Sequence, residues 1–424
     1  LAGKTYATFV VSTRAVSSST PIQLTASYNG VIKSCNLTIL PPVTVTLTSN
    51  QAIQAAAYED GNTKWSDLAV GGNTLQFNVY AFNGKYSVAV RDQNNKLTII
   101  HATTMELPNI VLNIVAAPTK STVSGTVSSV PAAPLTVSTG HLSNYASAPV
   151  SVTGSHGTYS VSALNNTDDF AAMTHNSNAG APNDSVQLTR NVAVAGPTTL
   201  NFDFAGAAAL DQFSQASTPL SAFNCIWTTA GGTDIHLGSS ISSGTLYYEL
   251  PGAAQIVSGD RLVVFSQTGS GITAIKEWQG LDASAPITPT APSGLTVGGT
   301  FFASPATGTS YGLFTSSFSA QTNANFYHLV YPATGGSNVN IYMTRGWLGS
   351  NSGTLQYTLP DLSGAATIDT TTIAPVSGTF YLYPIYLPGA TQLPAWLNFG
   401  PGDLEHPVGS DMIATGSQTN FSAP

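Results

Sequence analysis

Apolar and polar residues alternate with a period of two wherever a period can be counted along this chain, the spacing of strands with one buried face. Ile22, Leu24, Ala26 and Tyr28 fall on one side, and Val31, Lys33, Cys35, Leu37 and Ile39 return on that same side. Between them stands Asn29-Gly30, the pair that best tolerates the two positive φ angles of a tight hairpin turn. This predicts a hairpin in which Cys35 lies opposite Leu24 and faces inward. Further along, Leu75, Phe77, Val79 and Ala81 alternate with Thr74, Gln76, Asn78 and Tyr80, Asn83-Gly84 marks a turn, and Tyr86, Val88 and Val90 follow. A second, half-buried antiparallel hairpin is expected there. Gly, Pro, Ser, Thr and Asn break every apolar run before it reaches helical length. The fold class expected is all-β, a string of antiparallel β-sandwich domains.

Length and punctuation divide the 424 residues into segments at 1–42, 43–116, 117–205, 206–292 and 293–424. The run Ala2-Gly3 to Phe9, then Thr13 to Ser19, the Tyr28-Asn29-Gly30 hairpin and Pro41-Pro42 resemble the C-terminal half of a bacterial immunoglobulin-like repeat. That resemblance implies a half-sandwich with an open edge, and a natural N-terminus further upstream. Residues 43 to 116 carry Asp60-Gly61, Trp65, the alternating strands, His101-Ala102-Thr103 and Glu106-Leu107-Pro108. They resemble a repeated module of secreted or lipid-anchored β-rich proteins of Gram-negative bacteria, of unassigned function. Val123 to Val127, Gly157-Thr158-Tyr159-Ser160-Val161 and Leu164 to Ala172 are similar to carboxypeptidase-regulatory-like, transthyretin-like sandwiches, which implies a spacer role. In the last two segments, Gly244-Thr245-Leu246-Tyr247-Tyr248-Glu249-Leu250-Pro251 is echoed by Gly353-Thr354-Leu355-Gln356-Tyr357-Thr358-Leu359-Pro360. The echo predicts two related sheets or corresponding strands of a duplicated module. Pro286 to Pro292 reads as a linker or long surface loop.

Composition narrows the function. Only 8 % of residues are charged, net −8, and there is no Lys/Arg cluster to track a phosphate backbone, so nucleic acid is not an expected partner. With 42 % hydrophobic residues the chain has enough apolar surface to build cores. It contains no apolar run of transmembrane length. Cys35 and Cys225 are the two cysteines, each in an apolar strand-like segment, and both read as buried small hydrophobes.

Catalytic and metal motifs are weak. The seven histidines form no His-x-x-x-His pair, and no cofactor or metal is expected. Asp234-Ile235-His236 puts a carboxylate and an imidazole on one strand face, with a polar surface strand as the plainer reading, and His101 reads as a half-buried packing residue. Gly308-Thr309-Ser310-Tyr311-Gly312 matches a nucleophile elbow but lacks the following helix. Glu59-Asp60, Asp168-Asp169 and Asp403 with Glu405 read as turn carboxylates, with Ca²⁺ binding as the alternative.

Aromatic residues carry the binding signal. Tyr381 and Tyr383 share a strand face in Tyr381-Leu382-Tyr383-Pro384-Ile385-Tyr386, and Tyr247 lies in the first echo strand. Flat rings stack on sugars or proteins with little loss of entropy. The expectation is a non-catalytic, extracellular bacterial surface or secreted protein, a stalk or adhesion-type segment that spaces its modules and presents a binding face. The alternative is a glycan-binding or glycan-processing module with its site in the C-terminal half. Partners expected are a cell-surface glycan or protein, with self-association through the open edge of the first segment.

Overall fold

The computed structural model describes residues 14–61, 64–112, 119–131, 134–140, 145–175, 184–216, 220–237, 239–242, 245–268, 273–279, 301–306, 312–350, 352–387, 398–399, 412–415 and 417–423. Nearly all regular structure is strand, arranged in antiparallel sandwiches. Among the described residues no helix is long and apolar enough to cross a membrane.

One pairing scheme recurs along the chain. In unit one, Val43–Ser49 pairs with Thr74–Val79 in a small sheet, while Ser66–Leu68, Ile53–Asp60, Lys85–Asp92 and Leu97–Thr103 lie side by side in a second sheet. Unit two repeats this with Lys120–Ser128 on His156–Leu164, and with Ala146–Pro149, Leu135–Thr139, Thr167–Thr174 and Ser185–Ala193 in the other sheet. Unit three uses Asp211–Ala216 on Thr245–Leu250, and then Asp234–Leu237, Leu220–Thr228, Arg261–Thr268 and Thr273–Gln279. Unit four uses Phe314–Ser319 on Thr354–Thr358, and then Asn338–Thr344, Phe326–Pro332, Gly378–Tyr386 and Met412–Thr415. The two echo strands occupy the same place in units three and four. Tyr248 and Tyr357, and likewise Leu250 and Leu359, are matched positions and each is buried.

Three of the four larger sheets join edge to edge into one 13-stranded sheet. Thr273–Gln279 of unit three pairs antiparallel with Met412–Thr415 of unit four, and Asn338–Thr344 of unit four pairs parallel with Leu97–Thr103 of unit one. Joining edges in this way removes unpaired backbone groups that would otherwise recruit other strands. Side-chain contacts lock the second junction. Glu106 accepts hydrogen bonds from Thr103 Oγ1 (2.8 Å) in its own unit, and from Thr344 Oγ1 (2.5 Å) and the Gly346 amide (2.6 Å) in unit four. A Cβ at position 346 would sit 2.6 Å from that carboxylate, so glycine is what lets the backbone approach. Units two and three are clamped by Arg190, whose guanidinium donates to Asp169 (3.4 Å) and Asp260 (2.7 Å) and lies over the Trp227 ring.

The small sheets of units one and four cover opposite faces of the joined sheet. Ala56, Val88, Val90 and Ile100 meet Val45, Leu47, Leu75 and Phe77 in unit one, whereas Leu329, Tyr331, Phe380 and Leu382 meet Phe314, Phe318 and Tyr357 in unit four. Tyr342 is paired with Ile100, and with Phe326 and Ile385 it belongs to the core of unit one. The outer face of unit four therefore runs into the inner face of unit one.

Several sequence expectations need correction. The first hairpin has the expected register, with Leu24 opposite Cys35, but among the described residues it pairs with no third strand, and Cys35 is exposed rather than inward-facing. Cys225 is buried, as expected. Thr74–Val79 and Lys85–Asp92 are not hairpin partners. They lie in different sheets, and Leu75 and Phe77 face Tyr86 and Val88 across the core. Alternation identifies a buried face and leaves the hydrogen-bonded neighbour undetermined. Asp168 and Asp169 sit in the strand Thr167–Thr174 with 3 % and 1 % exposure, so they are not turn carboxylates. Asp234 is buried rather than on a polar surface, and accepts from Thr228 Oγ1 (2.7 Å). His101 is fully rather than half buried. Ser310, Asp403 and Glu405 lie outside the described residues.

Candidate binding face

The strand Gly378–Tyr386 alternates strictly. Phe380 and Leu382 enter the core of unit four, so Tyr381 and Tyr383 point to its outer face. Their rings are parallel to within 5°, with centroids 6.2 Å apart. A row of rings leads back from them under the cover of unit one. Tyr383 is in register with His328, and His328 with Tyr342. Exposure falls along this row from Tyr381 at 37 %, through half-buried Tyr383, to His328 at 4 % and Tyr342 at 1 %.

The buried end of the row is rigid. His328 stacks on Tyr342 at 4.4 Å and 8°, and its Nε2 lies 2.9 Å from Asn340 Oδ1. An amide oxygen only accepts, so Nε2 carries the proton. Burial lowers the His328 pKa to about 4, while the bond to Asn340 acts the other way, and the ring is neutral at physiological pH. Burial, helped by Tyr381, raises the Tyr383 phenol to about 12, so it remains a donor. On the far side of Tyr381 the strand Ser417–Phe421 places Gln418 directly opposite it, and Asn420 opposite Thr379. Both amide residues are exposed. The outer face thus combines a pair of stacked phenol rings with flanking amides, which supply apolar stacking and hydrogen bonds in both directions.

Tyr381 and Tyr383 are brought together. Tyr247 is not with them: it is half-buried in the small sheet of unit three, beside the buried Tyr248. The sequence does not mark His328, Asn340, Gln418 or Asn420 as members of this face. Their only signal was a polar residue alternating in phase with the tyrosines on strands not known to be neighbours.

A second constellation surrounds His101. Nδ1 lies 2.8 Å from Ser87 Oγ and Nε2 3.0 Å from the Tyr357 hydroxyl, and the Trp347 ring packs 4.3 Å away. Ser87 also bonds to Glu59, whose pKa is raised by burial against the opposing effect of that bond. Tyr357 donating to His101, His101 to Ser87 and Ser87 to Glu59 satisfies every group in one direction. His101, Ser87 and Tyr357 are all buried, and burial lowers the histidine to about 3. This chain ties the sheet of unit one to the small sheet of unit four. Among the described residues no group of three or more His, Cys, Asp or Glu side chains is placed to hold a metal ion.

No family model matches this chain, and no curated protein matches it. Two solved structures give low-scoring alignments. One is described as "Biofilm associated protein - BSP domain", at 7 % identity and TM-score 0.12, covering 90 % of this chain and 96 % of that one. The other is SGBP-B of the Bacteroides ovatus mixed-linkage glucan utilization locus in complex with a mixed-linkage heptasaccharide, at 12 % identity and TM-score 0.11, covering 74 % and 86 %.

Proposed function

We propose that this chain is a non-catalytic, extracellular component of a bacterial surface or secreted protein, a spacer of sandwich units that presents a glycan-binding face on unit four. The observation that carries the reading is the parallel pair of exposed Tyr381 and half-buried Tyr383, flanked by Gln418 and Asn420. Sugar rings offer an apolar C–H face to an aromatic ring and hydroxyls at the edge to amides, the two kinds of group found here. Two parallel rings on one strand present successive stacking surfaces, which suits an extended polysaccharide. The low charge, 8 % of residues, supports a surface solvated by hydroxyl and amide groups outside the cell.

Pulldown on insoluble polysaccharides of different linkage tests this. Wild-type chain is retained on at least one, and Tyr381→Ala and Tyr383→Ala are released with affinity lowered by about tenfold or more. Recovery of folded wild-type chain in the supernatant from every glucan, mannan, xylan and chitin tried refutes the glycan reading.

A further inference from the structure

Among the described residues, the hairpin Thr20–Tyr28 and Val31–Ile39 forms a two-stranded sheet separate from the four units. A lone hairpin of this kind is marginal in water unless further strands or a packed face support it. Its apolar side chains are open: Tyr28 is 86 % exposed, Val31 59 % and Ile32 65 %, and Cys35 is exposed among them. Between Thr20 and Ile39 the single charged residue is Lys33, so the edge has little protection against strand pairing.

Full overlap of the two strands picks one register for a second copy, and the hydrogen-bond alternation accommodates it. Asn29 and Gly30 have φ of 49° and 78°, a two-residue turn whose flanking residues, Tyr28 and Val31, exchange both backbone hydrogen bonds. Alternation from that pair directs the backbone groups of Cys35 toward Leu24, and those of Ser34 and Asn36 toward the free edge. Cys35 is the middle residue of Val31–Ile39. An antiparallel self-pair about that centre puts Ser34 opposite Asn36, a hydrogen-bonded pair, and Cys35 opposite its own copy. It also places Lys33 opposite Leu37 and Val31 opposite Ile39, so the two lysines never face each other and the apolar faces continue across the junction. Cys35 then occupies a pair without hydrogen bonds, where Cα atoms lie about 4.5 Å apart, within disulfide reach.

We propose that two copies of this chain associate through the free edges of Val31–Ile39, antiparallel and centred on Cys35, forming a four-stranded sheet. Light scattering of the full chain under reducing conditions reads the association. Adding oxidised glutathione tests the centre: two Cys35 thiols give up two protons and two electrons to one glutathione disulfide, leaving a Cys35–Cys35 bond and two reduced glutathiones. The expected result is a reversible dimer that becomes covalent in wild type, and remains reversible in Cys35→Ser. Leu37→Lys and Leu37→Glu remove the same apolar contact but set a like or an opposite charge against Lys33 of the other copy. The lysine variant should dimerise about tenfold more weakly than the glutamate variant. Circular dichroism and an unchanged unfolding midpoint establish that both are folded. A monomer at every concentration, a reaction that stops at the glutathione mixed disulfide, or equal dimerisation of the two variants overturns the proposal and assigns the edge to another occupant.

Discussion

His328 and His101 are neutral imidazoles held in cores, and each makes folding sensitive to acid. Their pKa values in the folded chain are about 4 and about 3, lowered by burial from an ordinary value near ~6.5. Between those limits the unfolded chain takes up protons that the folded chain refuses, so stability falls as pH drops from ~6.5 toward 4 and 3. Asp168 works in the opposite sense. Its folded pKa is raised to about 6, mainly by burial, so its contribution is present below the ordinary carboxylate range and is lost as pH rises through 6. Wild-type unfolding against pH sums these effects, and a single variant isolates one. Denaturant midpoints for His328→Gln should lose part of the acid dependence, an effect of roughly 3 kcal/mol between pH 7 and pH 4. Parallel curves for variant and wild type would show that His328 is protonated in the folded chain. Tyr357→Phe should cost about 1–3 kcal/mol, because it strips His101 Nε2 of its buried partner. The sequence placed His101 on an apolar face but could not show that Tyr357, 256 residues away, completes its pairing.

At the scale of strands, periodicity told which side chains enter a core and said little about which strands touch. Leu75, Phe77, Tyr86 and Val88 are all buried as their alternation predicts. Their strands nevertheless face each other across the sandwich instead of lying side by side. The echo around Tyr248 and Tyr357 was the visible fragment of a larger repetition, four units with one pairing scheme. The rest was hidden because any apolar residue of suitable size satisfies a sandwich core, so topology persists without shared letters. The Arg190 clamp was not legible either, since Asp169 reads as a turn carboxylate and Asp260 lies far from it in sequence. Arg190→Ala should destabilise the pair of units by about 3–5 kcal/mol, because it leaves two carboxylates of 1 % exposure without their cation. Arg190→Ala combined with Asp260→Asn should recover part of the loss. Urea unfolding of the single and double variants measures this, and additive losses would show that the clamp is not a coupled unit.

For the whole molecule, the edge-joined sheet makes units one, three and four a continuous body, unit two packs Ala171, Met173 and Val186 into a core shared with Trp227, Ile235 and Leu237 of unit three beside the Arg190 clamp, and among the described residues the hairpin pairs with none of them. Removing residues 1–42 should therefore leave the thermal unfolding midpoint unchanged while abolishing dimerisation. A lower midpoint would mean that the hairpin is packed on one of the cores. The same architecture explains the position of the tyrosine face. Unit four contributes its outer surface to the core of unit one, and Tyr383 and Tyr381 emerge where that cover ends, backed by His328 and Tyr342. The strand alternation of Tyr381 and Tyr383 was readable from sequence, whereas the rigid backing and the flanking Gln418 and Asn420 depend on pairings across the sheet.

The central claim is tested most directly by a glycan array probed with the full chain and with Tyr383→Ala, together with binding to whole bacterial cells. Selective binding to a class of polysaccharide by wild type, lost in Tyr383→Ala with the fold intact by circular dichroism, is the predicted result. No glycan binding by a folded wild-type chain, or binding that Tyr383→Ala retains in full, would contradict the assignment of this face.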